Sequence, residues 1–508
     1  MIKKTLGANI VKILIIVFAA LAQIAIFVIP FLYFETQLKH VYWVLEFISI
    51  LVILYLLQSD INPVYKLTWI ILLLATPIFG GLIYVVYGRV HLAKSERVRY
   101  KKCIGEFKKA IYSRENENKV LKESDTDIAV QTEYLIRCAD APVYANTTTR
   151  YFPLGDDMFP VLLEELKHAE KFIFMEYFIV EEGVVLNSIL EILEEKVKDG
   201  LDVRFMYDSF GSILKAPAGL VKRLRKIGIK CFEFNSFKSV LDSRYNNRDH
   251  RKICVIDGSV GFTGGINLAD EYINSKQIYG HWKDTAIMVK GDAVWSLTAM
   301  FLALWDSTCK ETDDYQKYVP THKFTYNDGY VAPYTDYPLD SEPVGRNVYL
   351  NIINRADNYI YIMTPYLIPD TVVLAALENA AKNGVDVRII MPGIPDKKIV
   401  YMLSRSYYNT LLKAGVKIYE YTPGFVHAKV FVSDDTTAVV GTINLDYRSL
   451  AHHFENAIWM YKTSSIKDIK DDYMDTISKS EQVPEKGRKE SVIQRILSPI
   501  LRLFAPLF

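Results

Sequence analysis

Two stretches of the sequence place histidine, lysine, aspartate, glycine and asparagine at the same relative positions. The first, HRKICVIDGSVGFTGGIN, covers residues 250–267, and the second, HAKVFVSDDTTAVVGTIN, covers residues 427–444. In each stretch a lysine follows the histidine by 2 positions, an aspartate by 7, a glycine by 14 and an asparagine by 17. Two such strings in register do not arise by chance, so the chain contains an internal repeat whose polar residues are candidates for chemistry.

These residue types suit the transfer of a phosphodiester. On a strand, residues i and i+2 face the same way, so His250 and Lys252 share one face, as do His427 and Lys429. Ammonium and amide groups bind non-bridging phosphate oxygens and stabilise the charge that grows on them. One neutral imidazole can attack phosphorus, and the other, protonated, can donate to the leaving alkoxide. The amides that we expect to bind phosphate belong to Asn267 and Asn444.

Carboxylates near the motifs complete the predicted catalytic set. An imidazole used in this way needs a carboxylate to set its tautomer. Asp284 in GHWKDTAIMVKG and Glu455 in HHFENAIWMYKT align, and we predict that these two orient the histidines. The motif aspartates, Asp257 and Asp434, complete the HxKxxxxD pattern, and we expect them to fix the following turn or pair with a local cation. His452 and His453 are expected to adjoin the site.

The elements that position these residues form a duplicated α/β unit. In each copy an apolar strand, a helix, a second strand and a further helix and strand precede the His-Lys motif. This alternation predicts mixed, mostly parallel sheets flanked by helices. Packing the two repeats about a pseudo-two-fold axis would bring both motifs to one interface. The matching segments are 171–180 with 358–368, 184–198 with 370–382, 199–208 with 383–393, and 224–234 with 412–421, and residues 240–250 are predicted to form a loop near the site.

The N-terminal region is predicted to be α-helical and to lie in a membrane. Its hydrophobic segments are 11–34, 41–57 and 69–87, of which the first is long enough to cross the hydrocarbon core and the others are borderline. Lysine and arginine flank both ends of the region, which favours two crossings and a catalytic region on the cytoplasmic face. The multi-pass arrangement excludes a simple cleaved signal peptide.

Composition narrows the class of protein further. The formal net charge of +1 does not suggest a uniformly basic nucleic-acid binder. The 5 cysteines are scattered without a CxxC pair, which argues against a disulfide framework and a structural zinc site. The predicted organisation is a membrane-anchoring region at 1–90, a charged connector at 91–140, repeat one at 141–325, repeat two at 326–480 and an amphipathic tail at 481–508.

The paired motifs resemble those of the phospholipase D superfamily, whose signature is HxKxxxxD followed by GGxN or GSxN. Flanking strings such as HWKDTAI (281–287) and TPYLIPD (364–370) are similar to the bacterial cardiolipin synthases in particular. The stretch 62–89 resembles the N-terminal membrane segment of that family. In the second copy Gly441-Thr442 stands where relatives often have Gly-Ser, and because a hydroxyl is kept we expect no consequence.

The resemblance implies two phospholipase-D-like repeats and a two-step phosphatidyl transfer without a metal or another cofactor. One phosphatidylglycerol is attacked, glycerol leaves and a phosphatidyl-histidine forms, and a second phosphatidylglycerol then attacks through its terminal hydroxyl to give cardiolipin. His250 is assigned as the nucleophile and His427 as the acid and then the base, although pseudo-symmetry makes the assignment reversible. The implied location is the bacterial cell membrane, with anionic lipid and no nucleic acid as partner. The oligomeric state stays open.

Several alternatives use the same site. A hydrolytic phospholipase D, a phosphatidylserine synthase and a membrane-tethered nuclease stay open, and a non-enzymatic lipid-binding scaffold is disfavoured because both His-Lys pairs are present. A nuclease would need a basic groove with stacking aromatic residues, whereas the basic stretch 89–102 adjoins the membrane segments and more simply meets anionic lipid. The C-terminal residues 491–508 place Arg495 and Arg502 on one helical face, which predicts an interfacial helix.

Overall fold

The computed structural model describes residues 37–59, 63–76, 80–81, 84, 94–112, 126–235, 247–321, 323–339, 342–487 and 492–507. They fall into two units, one formed from the described residues between 37 and 84 and the other from those between 94 and 507. The predicted hydrophobic segment 11–34 lies outside the described residues, as does 240–246 of the predicted loop.

The described part of the N-terminal unit is helical, as the sequence predicts. Helix α1 spans Gln37–Gln58 and contains the predicted segment 41–57. Helix α2 spans Pro63–Ala75, and its first residue is a proline, whose fixed φ suits the first helical turn. Across the described ranges, no helix combines the length and the apolar character that a membrane crossing requires. The two predicted crossings therefore stay a prediction.

The second unit contains two large sheets with the same strand order. The first sheet runs β1-β8-β6-β5-β2-β3-β4, and the second runs β9-β16-β15-β14-β10-β11-β12 with β17 added at its edge. The repeat predicted from the motifs is therefore a repeat of topology. The strands are β1 Thr147–Phe152, β2 Phe172–Tyr177, β3 Asp202–Asp208, β4 Lys230–Phe234, β5 Ile253–Ile256, β6 Val260–Gly264, β7 His281–Lys283, β8 Ala286–Gly291, β9 Tyr330–Asp336, β10 Tyr359–Met363, β11 Asp386–Pro392, β12 Lys417–Tyr421, β13 Gly424–Val426, β14 Val430–Ser433, β15 Thr437–Gly441, β16 Glu455–Tyr461 and β17 Ser480–Gln482.

The sheets are mixed, but the prediction that they are mostly parallel is wrong. Only β2-β3-β4 and β10-β11-β12 are parallel, and every other pair within the two sheets is antiparallel. The parallel strands are joined through helices, as predicted. The strands that follow each His-Lys motif are instead joined by tight turns at 257–259 and 434–436, and such turns connect antiparallel neighbours.

Helices cover the outer faces of the two sheets, and further helices contribute to the core that the sheets share. Helix α8 (Val294–Cys309) is buried from Val294 to Asp306 and belongs to a central core that takes residues from both sheets. Helix α3 (Lys94–Tyr112), within the predicted connector, adds Phe107 and Ile111 to this core. The remaining helices are α4 Thr126–Ala139, α5 Gly155–Lys167, α6 Val184–Lys198, α7 Leu220–Lys226, α9 Val344–Arg355, α10 Thr371–Lys382, α11 Lys398–Ser406, α12 Tyr408–Lys413, α13 Tyr447–Ala451, α14 Ser465–Ser478 and α15 Val492–Leu503, with 3-10 turns at 270–273, 315–318 and 505–507.

Candidate active site

The two motifs meet where the repeats join, and each histidine is held by a carboxylate of the other repeat. Nδ1 of His250 lies 3.0 and 2.9 Å from the two carboxylate oxygens of Glu455. Nδ1 of His427 lies 2.6 Å from Oδ2 of Asp284. In the sequence Asp284 and Glu455 each follow the histidine of their own repeat, whereas in the structure each contacts the histidine of the other repeat.

Backbone hydrogen bonds between the repeats produce this crossing. The N–H of His250 donates to the carbonyl of Phe454 at 2.9 Å, and the N–H of His427 donates to the carbonyl of Lys283 at 2.7 Å. Each of these carbonyls belongs to the residue directly before the orienting carboxylate. Strands β7 and β13 pair in parallel beside His427, and a single bridge between Asp249 and Phe454 takes the equivalent place beside His250.

Burial and mutual contacts set the protonation states of the two imidazoles and of the two carboxylates that bind them. Burial lowers the pKa of His250 to about 3 and lowers that of His427 well below its ordinary value. Burial raises the pKa of Asp284 to about 6. Burial also acts to raise the pKa of Glu455, but His250 and His453 together more than offset it and hold that pKa below the ordinary value. At neutral pH both imidazoles are therefore neutral and both carboxylates are ionised. With Nδ1–H donating to a carboxylate, Nε2 of each ring keeps its lone pair.

The two lysines are buried between these carboxylates. Lys252 and Lys429 each donate from Nζ to the carbonyl of their own histidine. Burial lowers the pKa of Lys252 to about 8 and that of Lys429 to about 7, and Asp284 opposes the shift in both. The charge of Lys252 also lowers the pKa of Lys429, so the two ammonium groups lie close enough to repel each other. Each His-Lys pair lies in the segment just before its strand rather than inside it.

The position after the motif glycine differs between the repeats. In repeat two the hydroxyl of Thr442 donates to Oε2 of Glu455 and accepts the N–H of Asn456 at 3.0 Å. In repeat one the equivalent residue is Gly265, where a Cβ atom would lie 2.0 Å from Oδ1 of Asp284. The hydroxyl that Thr442 shares with serine therefore supports the carboxylate of Glu455, whereas Asp284 leaves no room for a side chain at position 265.

The two asparagines line the cleft with the histidines but make different contacts. Oδ1 of Asn267 accepts the N–H of Ile179 at 2.9 Å, and its Nδ2 donates to the hydroxyl of Tyr272 at 2.7 Å. Asn444 lies in the lining of the same cleft. Because the amide of Asn267 is engaged within the protein, its role as a phosphate ligand stays a prediction.

The structure does not bring the motif aspartates to the histidines. The carboxylate of Asp257 accepts the backbone N–H groups of residues 170–172 at 2.7–2.9 Å. That of Asp434 accepts those of residues 357–359 at 2.8–2.9 Å. Both aspartates have positive φ, 53° and 52°. They fix the turn against the start of the neighbouring strand, and their partners there are backbone amides.

A cleft of about 680 Å³ contains the site. His250 and His427 both line it, together with aromatic, cationic and apolar side chains from both repeats. A cleft of this size, with charged groups set among aromatic and apolar side chains, can take a ligand that has both an anionic and an apolar part. The lining also includes Lys215, Arg248, Tyr272, Trp282, Lys397, Arg448 and His453.

Comparison with known proteins decides the family. A sequence profile described as "Cardiolipin synthase, PLD-like domain" matches residues 162–305 and 349–476. A cardiolipin synthase of Alkalihalophilus pseudofirmus is 37% identical over 453 residues, which cover 88% of this chain and 89% of that protein. This chain belongs to the cardiolipin synthase family. An uncharacterized protein of Streptococcus mutans is 47% identical over 459 residues, 90% of this chain and 99% of its own length.

Two further matches concern the N-terminal region and the fold. A profile described as "Phospholipase_D-nuclease N-terminal" matches residues 47–89, within the predicted membrane-anchoring region. The crystal structure of phosphatidylserine synthase from Haemophilus influenzae superposes with a TM-score of 0.58 at 14% identity, covering 74% of this chain and 98% of that one. This likeness concerns the fold. Membership of the cardiolipin synthase family confirms the predicted resemblance and the two-repeat α/β architecture.

The sequence predicts that His453 adjoins the site, and the structure adds the contacts that it makes there. The ring of His453 lies 5.6 Å from that of His250, and its Nδ1 lies 3.6 Å from Oε1 of Glu455. In the part of the chain that the structure describes, donor atoms of these three residues lie within 4.8 Å of one another, so they could hold a metal ion. Such an ion would replace the hydrogen bond that sets the tautomer of His250. The adjacent pair HH before FE in the sequence is the signal for this group.

Proposed function

We propose that the protein is a cardiolipin synthase that transfers a phosphatidyl group from one phosphatidylglycerol to another and releases glycerol. The observation that carries this proposal is the pair of neutral histidines on one cleft, each with Nδ1 bound by a buried carboxylate. Two such imidazoles, with two buried lysines, supply a nucleophile, a proton carrier and a positive environment for a phosphodiester.

In the first step Nε2 of His250 attacks phosphorus, and the bond from phosphorus to the glycerol oxygen breaks. His427 gives a proton to that oxygen, and glycerol leaves. His427 is neutral in the empty site, and the negative charge of a bound phosphodiester raises its pKa so that it can carry this proton. Glu455 stabilises the positive charge that His250 acquires as it forms the phosphatidyl-histidine.

In the second step the terminal hydroxyl of another phosphatidylglycerol attacks the phosphatidyl-histidine. His427, now neutral, accepts the proton of that hydroxyl, the bond from phosphorus to Nε2 breaks, and His250 returns to its starting state. Pseudo-symmetry allows the two histidines to exchange these roles. Water competes with the lipid hydroxyl, and exclusion of water from the cleft favours transfer over hydrolysis.

We further propose that the chain is a multi-pass membrane protein whose catalytic unit lies on the cytoplasmic face. Apolar side chains that are exposed on helix α1, such as Phe47 and Leu51, support contact with lipid. Helix α15 supports it too, because Leu497 and Ile500 are exposed while Arg502 donates to Ser406 of helix α11. An amphipathic helix held in this way lies in the plane of a membrane surface.

The test is a lipid-product assay of the purified full-length protein. Phosphatidylglycerol vesicles are incubated with the protein and a chelator, and cardiolipin and free glycerol are measured together. We expect both products in equal amounts, their loss in His250→Ala, and their retention in His168→Ala, a control at an exposed histidine. Phosphatidic acid with glycerol but without cardiolipin would identify a hydrolase. No turnover would favour the nuclease, phosphatidylserine synthase or scaffold alternatives.

A further inference from the structure

The two halves of the cleft differ in the residues that flank the two histidines. Trp282 precedes Asp284 by two residues, and His453 precedes Glu455 by two, so they occupy equivalent positions. The ring of Trp282 lies 5.6 Å from that of His427, just as the ring of His453 lies 5.6 Å from that of His250. One histidine therefore has an indole beside it and the other has a second imidazole.

The end of the cleft beside His427 is aromatic. The rings of Tyr272 and Phe425 lie 5.7 and 5.9 Å from that of His427, and they pack with Trp282 at 4.8 and 4.9 Å. The cationic side chains on the cleft wall outside the motifs include two lysines that already have carboxylate partners. Lys215 pairs with Glu181 at 2.8 Å and also with Glu271, and Lys397 lies 3.2 Å from Asp396.

The end beside His250 carries two arginines. Arg248 and Arg448 both line the cleft, and both are fastened to the segment that contains His453. The carbonyl of Arg448 accepts the N–H of His453 at 3.1 Å, and the carbonyl of Arg248 accepts the N–H of Phe454 at 2.8 Å. Backbone hydrogen bonds thus hold two guanidinium groups and the imidazole of His453 on one segment, next to the histidine assigned as nucleophile.

Arg248 is built into this end of the cleft. It is 3% exposed, and its guanidinium lies 4.7 Å from the centre of the Phe210 ring. Its Nη1 lies 3.9 Å from Oδ1 of Asp208, which is longer than a hydrogen bond. The carboxylate of Asp208 accepts three backbone N–H groups, at 2.8, 2.9 and 3.0 Å. Asp208 therefore offsets the charge of Arg248 at a distance while its own hydrogen bonds go to the backbone.

The proposed second step requires a site for another phosphate. The acceptor phosphatidylglycerol brings its own phosphodiester, separated from the attacking hydroxyl by one glycerol unit, while the first phosphate is held on the motif lysines. We propose that Arg448 and Arg248, with His453, bind the phosphate of the acceptor lipid and so select an anionic phospholipid over water as the second substrate. Guanidinium groups suit this task because one guanidinium can donate two parallel hydrogen bonds to two oxygens of the same phosphate. The inference rests on the proposed phosphatidyl transfer.

The experiment compares two acceptors that differ in charge. The full-length protein is incubated in detergent–phosphatidylglycerol micelles with a chelator, and three products are followed: cardiolipin, phosphatidic acid, and phosphatidylglycerol labelled by exchange with radioactive glycerol. Glycerol is a neutral acceptor that brings no second phosphate. The variants are Arg448→Gln, Arg448→Lys and, as a control, Arg137→Gln on an exposed face of helix α4.

We expect Arg448→Gln to lower the ratio of cardiolipin to phosphatidic acid by about tenfold or more, and to lower glycerol exchange much less. Arg448→Lys should restore part of the ratio because it restores the charge, and Arg137→Gln should behave as the parent protein does. His453→Gln serves as a second variant of the same site if the thermal unfolding temperature of Arg448→Gln falls.

Equal losses of cardiolipin and of glycerol exchange, or an unchanged product ratio in both variants, would overturn the second phosphate site and leave the proposed transfer standing. Failure of the parent protein to release glycerol would overturn the proposed function itself, and this inference with it. A changed ratio in Arg137→Gln would also contradict the proposal, because the effect would then follow the net charge of the protein rather than the cleft.

Discussion

Nδ1 of His250 lies 2.9 Å from a carboxylate oxygen of Glu455, although 205 positions separate the two residues along the chain. Asp284 and His427 are joined in the same way across 143 positions. Each repeat thus supplies the imidazole of one half-site and the carboxylate of the other. Neither repeat by itself holds both a histidine and the carboxylate that contacts it, so the site exists only when the two repeats are paired.

Removal of either orienting charge should affect the histidine of the opposite repeat. We expect Glu455→Gln and Asp284→Asn each to lower kcat by about 10²–10⁴-fold, because an amide does not hold the imidazole in the required tautomer. Proton NMR of the imidazole N–H groups distinguishes the two. The downfield resonance of His250 should disappear in Glu455→Gln and persist in Asp284→Asn. The crossed assignment is wrong if each variant removes the resonance of the histidine in its own repeat.

The contribution of the Thr442 hydroxyl can be tested by a substitution that removes only that group. Its hydroxyl donates to Glu455, and Thr442→Val removes that donor with little change of volume. We expect Thr442→Val to lower kcat by about tenfold or more and the free energy of unfolding by about 1–3 kcal/mol, since Glu455 is fully buried. Thr442→Ser keeps the hydroxyl and should retain most of the activity. Steady-state kinetics and thermal unfolding check both, and equal effects of valine and serine would rule out a role for the hydroxyl.

The pH dependence of kcat/KM should be bell-shaped. As pH falls through about 6, Asp284 gains a proton and no longer accepts from His427, so the acid limb falls. As pH rises through about 7, Lys429 loses its charge, and Lys252 follows at about 8, so phosphate binding weakens and the alkaline limb falls. Lys429→Arg stays charged and should move the alkaline limb toward the pKa of Lys252. A flat profile between pH 5 and 9 would contradict these protonation states.

The motif aspartates should matter for stability and little for chemistry. Asp434 binds three backbone N–H groups at the start of β10 and lies outside the lining of the cleft. We expect Asp434→Ala to lower the free energy of unfolding by about 1–3 kcal/mol and to leave kcat per folded molecule within about twofold. Denaturant unfolding and turnover of the refolded fraction are the measurements. A large loss of kcat with unchanged stability would return Asp434 to the catalytic set.

Much of the site could be predicted from the spacing of a few residues. The repeat of His250 and Lys252 at 427 and 429 predicts two half-sites, because residues two apart on an extended chain share a face whatever surrounds them. The strands and helices between the motifs follow from local apolar patterns, and the predicted helix 184–198 is the helix observed. Such local patterns hold because backbone geometry links neighbouring residues directly.

The direction of strand pairing and the contacts between distant segments depend on which parts of the chain pack against each other. The antiparallel pairing of β5, β6 and β8 could not be predicted from the strands themselves, because an apolar strand has the same pattern in either direction. The turns that join the strands set their relative direction. The roles of Thr442, Arg248 and Arg448 depend on distances between segments far apart in the chain, and single threonine or arginine residues carry no signal of their own.

Residue types and short spacings are enough to predict the chemistry, to reveal the duplication and to single out Asp284 and Glu455. That each of these carboxylates contacts the histidine of the other repeat is visible only in the folded chain. It follows from the backbone hydrogen bonds that join His250 to Phe454 and His427 to Lys283. These bonds exist only once two sheets with their own cores are packed against each other, and packing of that kind is a property of whole surfaces rather than of any motif.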